Sequence, residues 1–228
     1  MKRSNIGLVK MVEIGSCSGP LCPVSSSLRK LMPRASLAIV LFFAAIAGQQ
    51  TDPVRQYPID TNHSTIGFTV SILDGLSKVT GKFADFTVTL THDEKDITKS
   101  SVSVVIKAAS IDTGITERDN HLRTADFFDV EKYPEITFQS SRIEKKGSQL
   151  IAVGTFKMHG VSKVIALPFT VASIDKDPVT KKITTGYATR LTLNRRDFGI
   201  YWEKSVPNFV SDNVEVEINL IARALNVR

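Results

Sequence analysis

Cysteine is nearly absent: the 228 residues contain two, Cys17 and Cys22, both close to the N-terminus. From Gly48 onward there is no thiol, which excludes a disulfide scaffold and thiolate zinc sites there and suits export into an oxidising compartment. An excess of one charge is also missing from most of the chain. The formal net charge of +6 arises chiefly in residues 1–34, where Lys2, Arg3, Lys10, Arg29, Lys30 and Arg34 face a single acid, Glu13. Of 29 bases and 23 acids, 23 and 22 remain after Arg34. That balance removes the basic surface on which nucleic-acid binding depends, so no nucleic-acid partner is expected. Long apolar runs are reduced to one, LAIVLFFAAIA at residues 37–47. As a helix it rises only about 16 Å against roughly 30 Å of hydrocarbon, too little for a spanning anchor.

The same run follows Arg29, Lys30 and Arg34 and ends in Ala45-Ile46-Ala47, the three-part plan of a secretory signal peptide. The expected organisation is a leader over residues 1–47, a polar linker over 48–56 and one domain over 57–228, located in the periplasm or outside the cell. No Cys follows the run, so a lipid-modified N-terminus is not indicated. Met32 opens MPRASLAIVLFFAAIA, a complete short signal by itself, and is the expected translation start.

Beyond the linker, apolar residues recur at every second position, the signature of half-buried strands. Ile66, Phe68, Val70 and Ile72 form one such set, and Val102, Val104, Ile106 and Ala108 another. In residues 78–90, Val79, Gly81 and Phe83 share one parity while Phe86, Val88 and Leu90 take the other, which predicts a bulge near Ala84-Asp85. Further strands are expected over 136–143, 150–158, 161–171, 183–193 and 214–225, with His159-Gly160 as a tight hairpin. Eight long antiparallel strands favour a closed up-and-down barrel, because closure removes exposed edges. A two-sheet sandwich is the alternative. Thr116-Glu117-Arg118-Asp119 predicts a capping box opening one short helix through about Thr124.

Candidates for chemistry are few. His63, His92, His121 and His159 fall in different expected elements and no two have metal-ligand spacing, so no metal site is expected. Asp60, His63 and Ser64 contain triad residue types but lie too close along one strand for nucleophile, base and orienter geometry. Gly-x-Ser-x-Gly and phosphate-binding glycine loops are lacking, and Asp112, Asp119, Asp126 and Asp129 suit caps and turns around the short helix. No catalytic residue and no cofactor are expected. The conspicuous feature is apolar: ten phenylalanines follow Gly48, mostly on the alternating faces. In a sandwich they are core, whereas in an eight-stranded barrel they fill the interior or enclose one small apolar ligand.

Several ordered motifs resemble the YceI-like family. They are Ile59-Asp60 with His63-Ser64-x-Ile66-x-Phe68-x-Val70, then Val79-x-Gly81-x-Phe83-x-x-Phe86. Ser110-Ile111-Asp112-Thr113, Arg118-Asp119-x-His121-Leu122, Asp126-Phe127-Phe128-Asp129-Val130 and Tyr133-Pro134-x-Ile136-x-Phe138 follow. Gly154-x-Phe156-x-Met158-His159-Gly160-Val161 and Asn194-Arg195-x-Asp197-Phe198-Gly199 complete the set. The resemblance implies an eight-stranded antiparallel, lipocalin-like barrel with one short helix near an end. It also implies an exported protein whose long apolar tunnel holds an isoprenoid-tailed lipid, a polyisoprenoid or an isoprenoid quinone. The expected ligand-binding residues are Phe68, Val70, Phe83, Phe86, Val104, Ile106, Leu122, Phe127, Phe128, Phe138, Phe156 and Met158. Transient contact with a membrane surface is a further expectation. Residues 202–211 look divergent, which leaves the head group open. The rival readings are a filled barrel acting through its surface, in stress protection or adhesion, and an enzyme acting on a bound lipid.

Overall fold

The computed structural model describes residues 55–174, 176–179, 181–202 and 209–223. The expected leader over residues 1–47 lies outside them. Eleven strands among the described residues form one wholly antiparallel, curled sheet. They are β1 (Arg55–Tyr57), β2 (Thr65–Ile72), β3 (Ser77–Phe83), β4 (Phe86–His92), β5 (Ser101–Lys107) and β6 (Ile111–Asp112), then β7 (Glu135–Lys146), β8 (Gln149–Met158), β9 (Val161–Ile174), β10 (Thr184–Asn194) and β11 (Val210–Arg223). Their order across the sheet is β1-β4-β5-β7-β8-β9-β10-β11-β2-β3-β6.

The count of eleven replaces the expected eight, and the difference has local causes. Residues 78–90, expected as one strand, divide at Ala84-Asp85 into β3, which pairs with β2, and β4, which pairs with β5. The corner is held by backbone bonds from Ala84 N–H to the Ser110 carbonyl (3.1 Å) and from Lys107 N–H to the Asp85 carbonyl (3.0 Å). It turns both parities of the run toward the same side, so Phe83 and the face of Phe86 are both directed at the core. The other two additions are too short for periodicity to reveal: β6 has two residues, and β1 takes up Arg55 and Gln56 from the stretch expected to be linker.

Elsewhere register follows alternation. Ile66, Phe68 and Val70 of β2 lie opposite Phe83, Gly81 and Val79 of β3, so one face of the pair is apolar throughout. Gly81 gives the Phe68 ring its place, because a Cβ there would collide with the ring. His159 (φ 51°) and Gly160 (φ 77°) make the expected two-residue turn between Met158 and Val161. The main core joins Ile66, Phe83, Val104, Ile106, Ile111, Ile136, Phe138 and Phe198. A smaller cluster of Tyr57, Leu90 and Ala222 is separate from it.

Among the described residues one α-helix, α1 (Thr116–Arg123), interrupts the strands as expected, but its start is built differently. Ile115 is the N-cap, and no side chain bonds the exposed N–H groups there. Asp119, expected to complete a capping box, is instead buried and accepts bonds from Thr113 N–H (2.9 Å) and Thr113 Oγ1 (2.6 Å). The carboxylate thus ties the helix to the chain leaving β6. Arg123 adds two more ties, donating to the carbonyls of Ala109 (2.8 Å) and Ile111 (2.8 Å).

Candidate functional site

The inward side chains of a curled antiparallel sheet converge, and here they leave a cavity of about 180 Å³. Eleven of the twelve expected ligand-binding residues line it. β2 supplies Phe68 and Val70, β3 supplies Phe83, β5 supplies Val104 and Ile106, β7 supplies Phe138, and β8 supplies Phe156 and Met158. Leu122 from α1 and Phe127 and Phe128 from the segment after it come to the same wall. Phe86 does not reach it. At the start of β4, beside the Ala84-Asp85 corner, Phe86 packs against the core cluster from the edge.

Sequence reasoning missed half of the wall. Ile165 and Leu167 of β9, Leu191 and Leu193 of β10, and Val214, Val216 and Ile218 of β11 also line the cavity. The signal was present as the same period-two alternation, most plainly in Val214, Val216 and Ile218, but nothing in the pattern distinguishes the cavity wall from solid core. Among the described residues, Thr137 and Arg195 are the polar side chains of this wall.

The expected long tunnel is divided. A second apolar cavity of about 90 Å³ lies beyond the first, and Val104, Phe138, Leu167 and Ile218 line both. These four side chains are a partition. A cavity of roughly 150 Å³ lined by apolar side chains accommodates one benzene ring, so volumes of this order hold short fragments until the partition moves. Tyr187 lines the second cavity, and its hydroxyl is 2.9 Å from His92 Nδ1. Burial pushes the Tyr187 phenol above its usual range and holds the His92 imidazole below its own, the latter opposed by Glu94 and Asp93. Tyr187 therefore donates to a neutral His92. Tyr57 stands edge-on to His92, with ring centroids 5.4 Å apart, and donates to Glu94 (2.6 Å).

The end near α1 is closed by aromatic side chains. Phe128 stands edge-on to Phe83 with centroids 5.9 Å apart. Phe127 stacks on Trp202, with centroids 5.4 Å apart and planes at 27°. Backbone bonds from Phe128 N–H to the Leu122 carbonyl (3.0 Å) and from Val130 N–H to the Arg123 carbonyl (3.1 Å) fold this segment back on the helix.

Beside this end is a polar recess of about 350 Å³, lined by Ser71, Asp74, Arg195, Arg196, Trp202 and Asp212 among others. Arg195 and Val210 line both the recess and the larger apolar cavity. The Arg195 side chain is 7% exposed. It donates to the carbonyls of Ile200 (2.8 Å), Ser211 (3.2 Å) and Val210 (3.2 Å) and pairs with Asp212 (2.9 Å). In the sequence Arg195 belongs to the Asn194-Arg195-x-Asp197-Phe198-Gly199 motif, which by itself gives it no role.

The remaining histidines have structural partners. His63 Nδ1 is 2.8 Å from Asp60, which Arg223 also contacts at 2.7 Å, while Ser64 Oγ accepts from Ile221 N–H at 2.9 Å. Asp60, His63 and Ser64 thus fasten the chain before β2 to β11. His121 is 2.9 Å from Asp126, and His159 Nδ1 is 3.0 Å from the Phe198 carbonyl. Among the described residues, no three His, Cys, Asp or Glu side chains converge as a metal site would require.

A profile of the YceI-like domain matches residues 57–222. The chain is 37% identical over 169 residues to Protein YceI of Escherichia coli O6:H1, an alignment covering 73% of this chain and 87% of that protein. It is 40% identical over 124 residues to UPF0312 protein plu2095 of Photorhabdus laumondii, covering 54% of this chain and spanning 64% of that relative's length. The crystal structure of a Campylobacter jejuni YceI protein superposes with a TM-score of 0.59 at 30% identity, over 66% of this chain and 88% of that one. A polyisoprenoid binding domain from Saccharophagus degradans shares the fold, with a TM-score of 0.55 at 19% identity over 75% of this chain and 99% of that one.

Proposed function

The chain belongs to the YceI-like family, and from that premise we propose that it is an exported carrier that binds an isoprenoid-tailed lipid within its curled sheet. The observation that carries this reading is the cavity of about 180 Å³ whose wall, among the described residues, is apolar apart from Thr137 and Arg195. Such a wall desolvates a hydrocarbon tail without leaving protein polar groups unpaired, and each buried CH₂ contributes about 0.8 kcal/mol. That the Saccharophagus degradans neighbour is a polyisoprenoid binding domain agrees with the ligand class. The ligand is held and released, with no chemical step.

On this reading the eleven strands act as eight staves of a lipocalin-like barrel. β3 and β4 are the two halves of one bent strand, and β1 and β6 are short additions at its rim. The covalent continuity through Ala84-Asp85 brings β2 and β5 round to the same strand and closes the wall.

Export is part of the proposal and rests on the apolar run at residues 37–47 and on the thiol-free body. Loading and release call for transient contact with a membrane. The β2–β3 hairpin is suited to it, exposing Leu73 and Leu76 beside a recess that Asp74 and Gly75 help to line.

One experiment tests the whole reading. Native mass spectrometry of the protein recovered from the periplasmic fraction or the medium is expected to give a chain beginning at or near Gly48, carrying one lipid released by organic extraction. A protein retained in the cytosol with its leader overturns export. A lipid-free protein that also refuses added isoprenoids overturns the carrier and leaves a filled barrel acting through its surface.

A further inference from the structure

Resting on the tail-binding reading, we infer that the tail enters and leaves sideways, through a seam in the wall between β9 and β10. The β9–β10 ladder begins at Ile174 with Thr184 and stops at Phe169 with Thr189. The neighbouring ladders run on: residues 161–169 of β9 stay paired with β8, and β10 stays paired with β11 as far as Asn194. Residues 164–167 of β9 and 191–194 of β10 are therefore each held from behind, with no ladder joining them to one another.

The cause is Pro168. Its carbonyl is turned toward β10, where it accepts from Thr189 Oγ1 (2.5 Å). In an extended strand the N–H of the same residue points the same way and would carry the ladder onward. Proline has no such donor, so the pairing of β9 with β10 fails there.

The seam opens onto the larger cavity. Ile165 and Leu167 on one bank and Leu191 and Leu193 on the other line it. Val164, on the outer face of the β9 bank, is the one large apolar side chain exposed within a strand among the described residues. A hydrocarbon tail thus meets apolar atoms on both sides of the slot. The end of the slot is bridged by an ion pair between Lys163 and Asp197 (3.1 Å), the latter in the 3-10 turn Arg195–Phe198. Both side chains are solvent-accessible, and a surface pair of this kind yields at little cost.

Passing a tail between ladder-paired strands breaks a row of backbone hydrogen bonds, whereas these two banks separate without losing one. A chain laid along the slot enters over its length and need not thread end-on past Phe127 and Phe128. The turn Arg195–Phe198 runs on toward Trp202, which stacks on Phe127, so the slot and the aromatic closure near α1 are joined by one short stretch of chain.

The test ties the banks together. Ala166→Cys with Thr192→Cys puts two thiols on the outer face of the seam, at exposed positions that line neither apolar cavity. Cys17→Ser and Cys22→Ser leave these as the chain's two thiols. Joining them after folding with a short bismaleimide bars the slot. With a fluorescent tetraprenyl probe, the on-rate and off-rate are both expected to fall about tenfold against the same variant unlinked, with Kd unchanged, because a portal governs passage and not the bound state. The same link between Lys157→Cys and Ser162→Cys, a ladder pair of β8 and β9, is expected to change neither rate. Amide exchange on the unsubstituted protein is the second readout. Ala188 lies within the β9–β10 ladder, opposite Thr170, and Thr192 lies four residues on along the same side. The Thr192 N–H is expected to exchange about tenfold faster than that of Ala188. Unchanged rates on linking, an altered Kd, or equal protection of Thr192 and Ala188 overturns the seam as the portal while tail binding stands. An unlinked protein that takes up no probe overturns the carrier reading and the portal with it.

Discussion

The Tyr187 hydroxyl, on a side chain that lines the smaller cavity, lies 2.9 Å from His92 Nδ1, and the two rings meet nearly edge to face. With burial favouring the neutral form of each group, the bond runs from phenol to imidazole. The consequence is a pH dependence of fixed sign. Because the folded state holds His92 below the ordinary imidazole value of about 6.5, the unfolded chain binds more protons at mildly acid pH. The stability that neutral His92 supports is complete above about pH 6.5 and is lost as pH falls from there through the lower folded value. His92→Gln keeps an acceptor for Tyr187 and removes the titration. Melting temperatures measured across this window are expected to fall less steeply in the variant, and identical slopes would assign the acid loss to other groups.

Phe128 is expected to act as part of a lid. It packs on Phe83 at the end of the cavity, in a segment whose regular structure ends with α1. Such a segment opens locally at lower cost than the strands beneath it. The anchors of α1, namely Arg123 on the Ala109 and Ile111 carbonyls and Asp119 on Thr113, leave the helix in place while Phe127 and Phe128 swing. Phe128→Ala should raise the off-rate of a bound isoprenoid about tenfold while lowering the stability of the empty protein by less than the ~3–5 kcal/mol typical of a lost core aromatic. A full core penalty with an unchanged off-rate makes Phe128 a plug.

Leu73 is exposed and left-handed, with φ 51°, as are Asp74 and Gly75 after it. A β-carbon in that region costs about 1–2 kcal/mol, and Asn tolerates it better than Leu. Leu73→Asn should therefore raise the melting temperature. If the hairpin touches membrane, the same substitution lowers co-sedimentation with lipid vesicles. A variant both more stable and less vesicle-bound is the expected pair of results; unaltered vesicle binding argues against contact through this hairpin.

The alternation of Ile66, Phe68 and Val70 made β2 and its inward face legible, and the parity change around Ala84-Asp85 located the corner before β4. What alternation does not encode is how far an inward side chain projects. Phe83 and Phe86 share the inward side, yet only Phe83 reaches the cavity, because Phe86 starts a strand at the corner. Arg195 and Trp202 were opaque for a different reason: their environment is assembled from residues distant in sequence, including Asp74 and Asp212, and no local period signals it. Asp119 looked like a helix cap by spacing but takes its bonds from Thr113, a choice made by the packing of α1 on β6.

The partition between the two cavities sets the last prediction. Phe138 is 5% exposed and lines both cavities; it lies opposite Val104 on one side and Phe156 on the other. Its ring has room because residue 154 on the neighbouring strand is glycine, where a Cβ would come 2.7 Å from the ring's Cζ. A long tail must displace this ring to pass from the larger cavity to the smaller, whereas a short tail need not. Phe138→Ala removes the obstacle at a cost of about 3–5 kcal/mol to the empty protein, since the void is not refilled by its neighbours. Long isoprenoids then gain twice over, by avoiding the work of moving the ring and by filling the void. The gain in melting temperature on adding a long-tailed isoprenoid should exceed that of the unsubstituted protein, with a much smaller difference for a short-tailed one. If the variant shows equal gains for both lengths, the two cavities do not act as one binding channel and the tail ends at Phe138.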